Sequence, residues 1–128
     1  MTKIDNKGEK MKQQNQTSPY ESLEKQLLSL FFSGLYISSH DIRQIGAKIG
    51  IELPVKDRNI LLSRLFGDAN KENKTKELYL AISDLIRSRA MQYTILGNNY
   101  PHTKPLILKW LQKAKATDLL LKREMGSL

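Results

Sequence analysis

Apolar residues in this chain recur every three or four positions, and no segment alternates apolar with polar residues as a half-buried strand does. The first apolar stripe predicts a helix from Ser18 to about Ile37, because residues 18–21 (SPYE) match a capping box with proline at the first helical position. Phe32 and Tyr36 fall off this stripe. The helix is therefore either buried on two sides or offers a second apolar face to a partner.

The same spacing predicts four further helices. Gly50, Gly67 and Gly97 are expected to end the first three, since glycine readily takes the left-handed conformation that follows a last helical turn. A new cap at Thr117 and Asp118 would divide the fourth into two. The predicted fold is all-α, a compact bundle of five helices, or six with that break. The four helices that follow the first are predicted over residues 39–49, 55–66 and 74–96, and from residues 103–105 to about Glu124.

The N-terminal end of the chain differs from the rest in composition. Residues 1–17 hold only Met1, Ile4 and Met11 as apolar side chains. This is too little apolar surface to offset the entropy lost on ordering, so residues 1–17 are predicted to be a disordered polar tail. Residues 18–125 then form a single helical domain, which is long enough for one modest core.

Composition excludes several classes of protein. The 128 residues include no cysteine, which excludes disulfide scaffolds, thiolate zinc sites, iron–sulfur clusters and cysteine nucleophiles. The longest nearly apolar run, residues 27–37, is about half as long as a membrane span. The first 17 residues lack the apolar segment of a secretory signal. A cytoplasmic protein is therefore expected.

The chain is basic, with 21 lysine and arginine residues against 13 aspartate and glutamate residues and a net charge of +8. Residues 85–117 contain six basic residues and no acidic one. On a helical wheel the lysines of the last helix lie outside its apolar arc, which predicts a wholly basic outer face that attracts phosphate backbones. A solvated face without a ligand, an acidic protein partner and a membrane surface are the alternatives. The predicted nucleic-acid-binding residues are Arg87, Lys104, Lys109, Lys113, Lys115 and Lys122.

Aromatic residues accompany this basic segment, among them Tyr93, Tyr100 and Trp110. Trp110 falls within the apolar arc of the last helix, together with Leu106 and Ala114. It is therefore predicted to be a core residue rather than a platform on which a base stacks.

Residues 39–66 match a helix-turn-helix only in part. Ile45, Gly46 and Gly50 suit its first helix and its turn. The second helix fits poorly, because its apolar residues miss the positions that should be buried and Pro54 lies in the turn. Two packed antiparallel helices are the favoured interpretation. On the DNA-reading alternative the contacting residues would be Lys56, Arg58, Asn59 and Arg64.

Arg89 falls inside the apolar stripe of the fourth predicted helix. An unpaired guanidinium is costly to bury, so this side chain must either extend to water or pair with a carboxylate. Asp41, Glu21 and Asp84 are the candidate partners. A functional anion site at Arg89 is the third possibility.

No catalytic or metal site is predicted. The chain has two histidines, and His40-Asp41 is better interpreted as part of a helix cap and first turn. Residues 68–72 begin like a calcium loop, but the loop positions that need glycine and glutamate hold Asn73 and Tyr79. No acid–base pair, nucleophile–base spacing or phosphate-binding loop is present. An enzyme is not expected, and no cofactor is predicted.

These features predict a small basic helical binding protein. The favoured partner is nucleic acid, contacted through its phosphate backbone by the basic face of the last two helices. The alternative is a protein–protein adaptor or oligomerising module with exposed apolar contacts. The residues predicted to make those contacts are Phe32, Tyr36, Leu119 and Leu120.

Overall fold

The computed structural model describes residues 21–128, apart from the side chains of residues 21, 32 and 33. The predicted tail over residues 1–17, the Ser18 cap and the Phe32 side chain lie outside this description. The described residues form five α-helices and no strand, which confirms the all-α class and the number of helices. The helices are α1 (Glu21–Ser33), α2 (Ser39–Lys48), α3 (Arg58–Lys71), α4 (Thr75–Asn99) and α5 (Lys104–Gly126), with a 3₁₀ turn (Pro101–Thr103) between α4 and α5.

Helix α1 ends at Ser33, four residues before the predicted end at Ile37. The chain leaves the helix at Gly34, and Leu35 and Ile37 are fully buried from the loop that follows. A buried loop supplies apolar side chains to a core as a helix does, so the apolar pattern does not reveal where the helix stops. The loop leads directly into Ser38, which begins the next element.

Helix α2 begins and ends as predicted to within a residue. The Ser38 side chain accepts a hydrogen bond from the Asp41 backbone N–H, and Asp41 in turn accepts one from the Ser38 N–H, which completes a capping box. At the other end Gly50 has a φ of +80°, in the left-handed region where glycine is favoured. The Ile51 N–H donates to the Gly46 carbonyl at 2.7 Å, and this contact turns the chain back onto the helix.

Helix α3 was predicted over residues 55–66 but lies at Arg58–Lys71. Val55 is exposed, and Gly67 lies inside the helix instead of ending it. The reason is that Ala69 is fully buried, so the core-facing side of the helix continues past Gly67. The left-handed residue that follows the helix is Asn73, with a φ of 60°.

Helices α4 and α5 form an antiparallel hairpin. Gly97 does not end α4, which continues to Asn99, and α5 runs without a break through Thr117 and Asp118. Both of those polar residues are buried against neighbouring helices, so no sixth helix forms. Gly97 is buried where the two helices meet, since a Cβ there would lie 3.5 Å from the Ile107 side chain.

All five helices contribute side chains to one hydrophobic core. Helix α4 packs most extensively on α5, α5 also packs on α1, and α2 and α3 pack on each other and on α4. The end of the hairpin differs, because residues 94–109 contribute no side chain to that core. This hairpin tip, residues 94–109, therefore presents its side chains to solvent and to each other.

Candidate nucleic-acid interface

The hairpin tip exposes an unusual amount of apolar surface. Leu106 and Leu108 are 52% and 54% exposed, although Leu106 was predicted to face the core. Several exposed apolar side chains on one part of a folded chain favour a contact surface. The large apolar residues exposed at or next to the tip are Met91, Ile95, Leu96, Tyr100, Leu106 and Leu108.

The predicted basic residues of α5 do not form one continuous outer face. Lys115 and Lys122 follow Lys104 by 11 and 18 residues, which is close to three and five whole helical turns. The three lysines therefore share one stripe along α5. Lys109 and Lys113 lie one turn apart on another side, about 120° around the helix from Lys115 at the nearest. The expectation of a wholly basic outer face is therefore corrected. The basic residues lie on two flanks, with uncharged residues such as Gln112 and Ala116 between them.

The first flank, which we call the Asp118 flank, holds Arg87, Lys115 and Asp118 around a groove of about 210 Å³ between α4 and α5. The Asp118 carboxylate is buried, accepts a hydrogen bond from the Ser83 hydroxyl and lies 3.4 Å from Lys122 Nζ. Arg87 pairs with Asp84 at 2.8 Å, and both side chains are more than half exposed. Carboxylates thus offset part of the positive charge on this flank.

The second flank, which we call the aromatic flank, faces α1. Its groove is lined by Leu106, Lys109, Trp110 and Lys113, together with Gln112. Lys109 is exposed, whereas Lys113 Nζ donates to the Ser29 carbonyl at 3.3 Å. Trp110 packs against the core, as predicted, and its ring also forms part of the groove wall.

Aromatic contacts extend this flank to the loop between α1 and α2. The Trp110 and Tyr93 rings meet edge to face with centroids 5.5 Å apart. The Tyr93 hydroxyl accepts a hydrogen bond from the Tyr36 backbone N–H at 3.3 Å. The Tyr36 side chain is 58% exposed. The Tyr93 side chain therefore links Trp110 on α5 to the backbone of the loop that carries Tyr36.

Two arginines hold the loop that carries Tyr36. Arg58 Nη1 donates to the carbonyls of Phe31 and Ile37, at 3.1 and 2.8 Å, and its guanidinium lies 5.4 Å from the centre of the Tyr36 ring. Arg89 Nη1 donates to the Tyr36 carbonyl at 2.9 Å. Each of these contacts joins residues far apart in the chain, so no local sequence signal could have revealed them.

Arg89 is paired, in agreement with one of the alternatives drawn from the sequence. Its guanidinium makes two hydrogen bonds to the Asp41 carboxylate, at 3.0 and 3.2 Å, and the side chains are 24% and 18% exposed. Burial by itself would raise the pKa of Asp41. Hydrogen bonds from Arg89 and Ser38 outweigh this effect and leave the pKa of Asp41 below its ordinary value.

The four residues nominated for a DNA-reading helix are not presented together. Lys56, Asn59 and Arg64 are exposed, whereas Arg58 is bound to two backbone carbonyls. Residues 49–57, nine in number, connect α2 and α3, where a helix-turn-helix has a turn of about three or four. The geometry favours the packed antiparallel pair.

The residues nominated for a protein partner also lie in different settings. Tyr36 and Leu119 are each 58% exposed, whereas Leu120 is half-buried and packs against the core. Leu119 lies on the far part of α5 and not at the hairpin tip. Of the nominated residues that the structure describes, Tyr36 and Leu119 are therefore the more accessible to a partner.

Residues 21–128 offer neither a metal site nor a membrane-spanning helix. No group of three or more histidine, aspartate or glutamate side chains in this range could hold a metal ion. None of the helices described is long and apolar enough to cross a membrane. Comparison of the chain with protein families, with curated proteins and with solved structures gives no match.

Proposed function

We propose that this protein binds nucleic acid through its phosphate groups, using basic side chains that the α4–α5 hairpin presents on its two flanks. The observation that carries the proposal is the absence of any acidic residue between residues 85 and 117, a stretch that includes the hairpin tip and five of the six predicted basic contacts. Lysines and arginines on such a surface release counterions condensed on a phosphate backbone, which favours binding. The net charge of +8 adds a long-range attraction for a polyanion.

Fluorescence anisotropy with labelled 20-nucleotide DNA and RNA, single-stranded and duplex, at 50 and 200 mM salt tests this proposal. Wild-type protein should bind at the lower salt and lose affinity steeply at the higher salt. Lys104→Glu with Lys115→Glu, and Lys109→Glu with Lys113→Glu, form a matched pair of variants. Each lowers the net charge by four, and the pairs lie on different flanks of the same helix.

The expected result is that both pairs weaken binding, because the proposed phosphate contacts lie on both flanks. Each lost phosphate contact should also flatten the slope of log affinity against log salt by about 0.7 to 0.9. The replaced lysines are mostly surface residues, so the free energy of unfolding should change by about 0.5 kcal/mol or less per site. Wild-type protein that binds none of the four probes at 50 mM salt would show the proposal to be wrong.

A protein–protein adaptor or oligomerising module is the second candidate function. The observation in its favour is the exposed apolar surface at the hairpin tip, which includes Leu96, Leu106 and Leu108. Sedimentation of the wild type and of Leu106→Ser at equal concentrations measures whether copies associate. An oligomer that the substitution dissociates would support this function, and a monomer in both cases would remove the oligomerising form of it.

A further inference from the structure

The aromatic flank and the Tyr36 ring together suit one form of nucleic acid. We infer that a single strand lies across this surface, with bases stacked on Tyr36 and Trp110 and phosphates near Lys109 and Lys113. This inference rests on the proposed function and adds to it the strand form and the flank. A duplex does not offer its base faces for stacking, whereas every base of a single strand has one available.

A chain of contacts leads from the loop to α5. The Tyr36 backbone N–H donates to the Tyr93 hydroxyl, the Tyr93 ring meets the Trp110 ring, and Trp110 lines the same groove as Leu106 and Lys109. A strand following these contacts would pass the exposed Tyr36 side chain at one end and Trp110 with Lys109 at the other. Proteins that bind single strands combine the same two elements, which are stacking surfaces and cations along the backbone path.

The backbone that carries the Tyr36 ring is held in place before any ligand binds. Its backbone N–H donates to Tyr93, its carbonyl accepts from Arg89, and its ring lies next to the Arg58 guanidinium. An aromatic ring on a loop fixed at three points loses little conformational entropy when a base stacks on it. The ring is nevertheless 58% exposed, so a large part of it is accessible. This combination favours contact with a ligand over a purely structural role.

Charge also distinguishes the grooves of the two flanks. The groove of the Asp118 flank is lined by the Asp118 carboxylate as well as by Arg87 and Lys115. The groove of the aromatic flank is lined by Lys109 and Lys113 and, among the described residues, by no carboxylate. The groove of the Asp118 flank is also lined by no aromatic residue in the described part of the chain. Base stacking combined with phosphate binding is therefore favoured on the aromatic flank.

The test uses fluorescein-labelled dT15 and rU15, a 15-base-pair duplex and poly-L-glutamate as a polyanion without bases. Tyr36→Leu should weaken binding of dT15 by about fivefold to 100-fold, the range seen when a stacked aromatic residue is lost. Tyr36→Phe keeps the ring and should bind within about twofold of the wild type. Lys109→Glu should weaken binding more than Lys115→Glu, because Lys109 lines the groove of the aromatic flank. The two variants are a matched pair, since both residues are exposed lysines of α5.

Trp110 supplies a second readout that does not depend on the Tyr36 variants. It is the only tryptophan in the chain, so its fluorescence reports on the aromatic flank alone. We expect dT15 to quench this fluorescence and poly-L-glutamate at equal charge to leave it unchanged. If Tyr36→Leu proves unfolded by circular dichroism, the quenching and the comparison of the two lysine variants decide.

Several results would overturn the inference and leave the proposed function in place. They are equal affinity for dT15 and the duplex, a larger loss with Lys115→Glu than with Lys109→Glu, and no quenching of Trp110 on binding. Displacement of dT15 by poly-L-glutamate at equal charge would point instead to an acidic protein as the partner. Absence of binding to every nucleic-acid probe would overturn both the inference and the proposed function.

Discussion

Replacing Arg89 by leucine should destabilise the fold by about 2 kcal/mol. The substitution removes two hydrogen bonds to Asp41 and one to the Tyr36 carbonyl, and it leaves the Asp41 carboxylate, 18% exposed, without its counter-charge. Hydrogen bonds to charged groups contribute about 1.5 to 3 kcal/mol, and breaking a fully buried pair costs about 3 to 5 kcal/mol. This pair is partly exposed, and Asp41 keeps its hydrogen bonds with Ser38. The expected loss of stability is therefore near the lower end of these ranges.

The assay is urea denaturation followed by circular dichroism at 222 nm, with thermal unfolding alongside. A loss of about 2 kcal/mol corresponds to a fall of about 8 °C in Tm for a domain of this size. Arg87→Leu is the matched control, because Arg87 lies on the same helix and pairs with Asp84 at 2.8 Å. That pair is 58% and 63% exposed, so its loss should cost less than about 0.5 kcal/mol. Arg89→Ala should cost more than Arg89→Leu, since alanine also removes the packed aliphatic stem.

The two ion pairs are similar in kind and differ in burial. Equal unfolding midpoints for Arg89→Leu and Arg87→Leu would therefore refute this prediction. A double-mutant cycle with Asp41→Asn isolates the pairwise contribution, and a coupling energy near zero would show that Arg89 acts only through its stem.

Three further predictions concern Asp41 and two glycines. The pKa of Asp41 in the folded protein lies below its ordinary value of 3.8. The stability that this carboxylate contributes is therefore complete above the ordinary value and is lost as the pH falls toward the lower, folded-state pKa. Asp41→Asn should flatten this acid dependence of the free energy of unfolding. Gly97→Ala should stabilise the protein by about 0.5 to 1 kcal/mol, because the new Cβ meets Ile107 at 3.5 Å, an ordinary contact, and alanine favours helix. Gly46→Ala should destabilise the protein, because a Cβ there would lie 2.7 Å from the Ile51 carbonyl oxygen. Thermal unfolding should therefore show a higher Tm for Gly97→Ala and a lower Tm for Gly46→Ala. Shifts of the same sign would contradict the explanation.

Short sequence patterns predicted a helix end correctly where that end depends on residues close by in the sequence. The cap of α2 follows from Ser38 and Asp41, which are three positions apart, and its end follows from Gly50. The ends of α1 and α3 were wrong because burial from elsewhere in the chain overrides local preference. Ile37 is buried from a loop, and Gly67 is kept in a helix by the burial of Ala69 two residues later.

The candidate site was predictable in its residues and not in its arrangement. The absence of acidic residues over residues 85–117 and the presence of Trp110 can be read directly from the sequence. The clamp on Tyr36 could not be, because Arg58 and Arg89 reach it from 22 and 53 positions away in the chain. A wheel drawn for one helix cannot show which of its polar sides another helix will face.

The sequence by itself determined the helical class, the number of helices and the concentration of positive charge in the C-terminal half, because each depends on residue type and on spacing within a few turns. Tertiary structure decided which charges remain available. It paired Arg89 with Asp41 and bound Lys113 to the α1 backbone. The physical reason is that the free energy of a charge depends on the dielectric and the partners around it, and in this protein those are supplied by other helices.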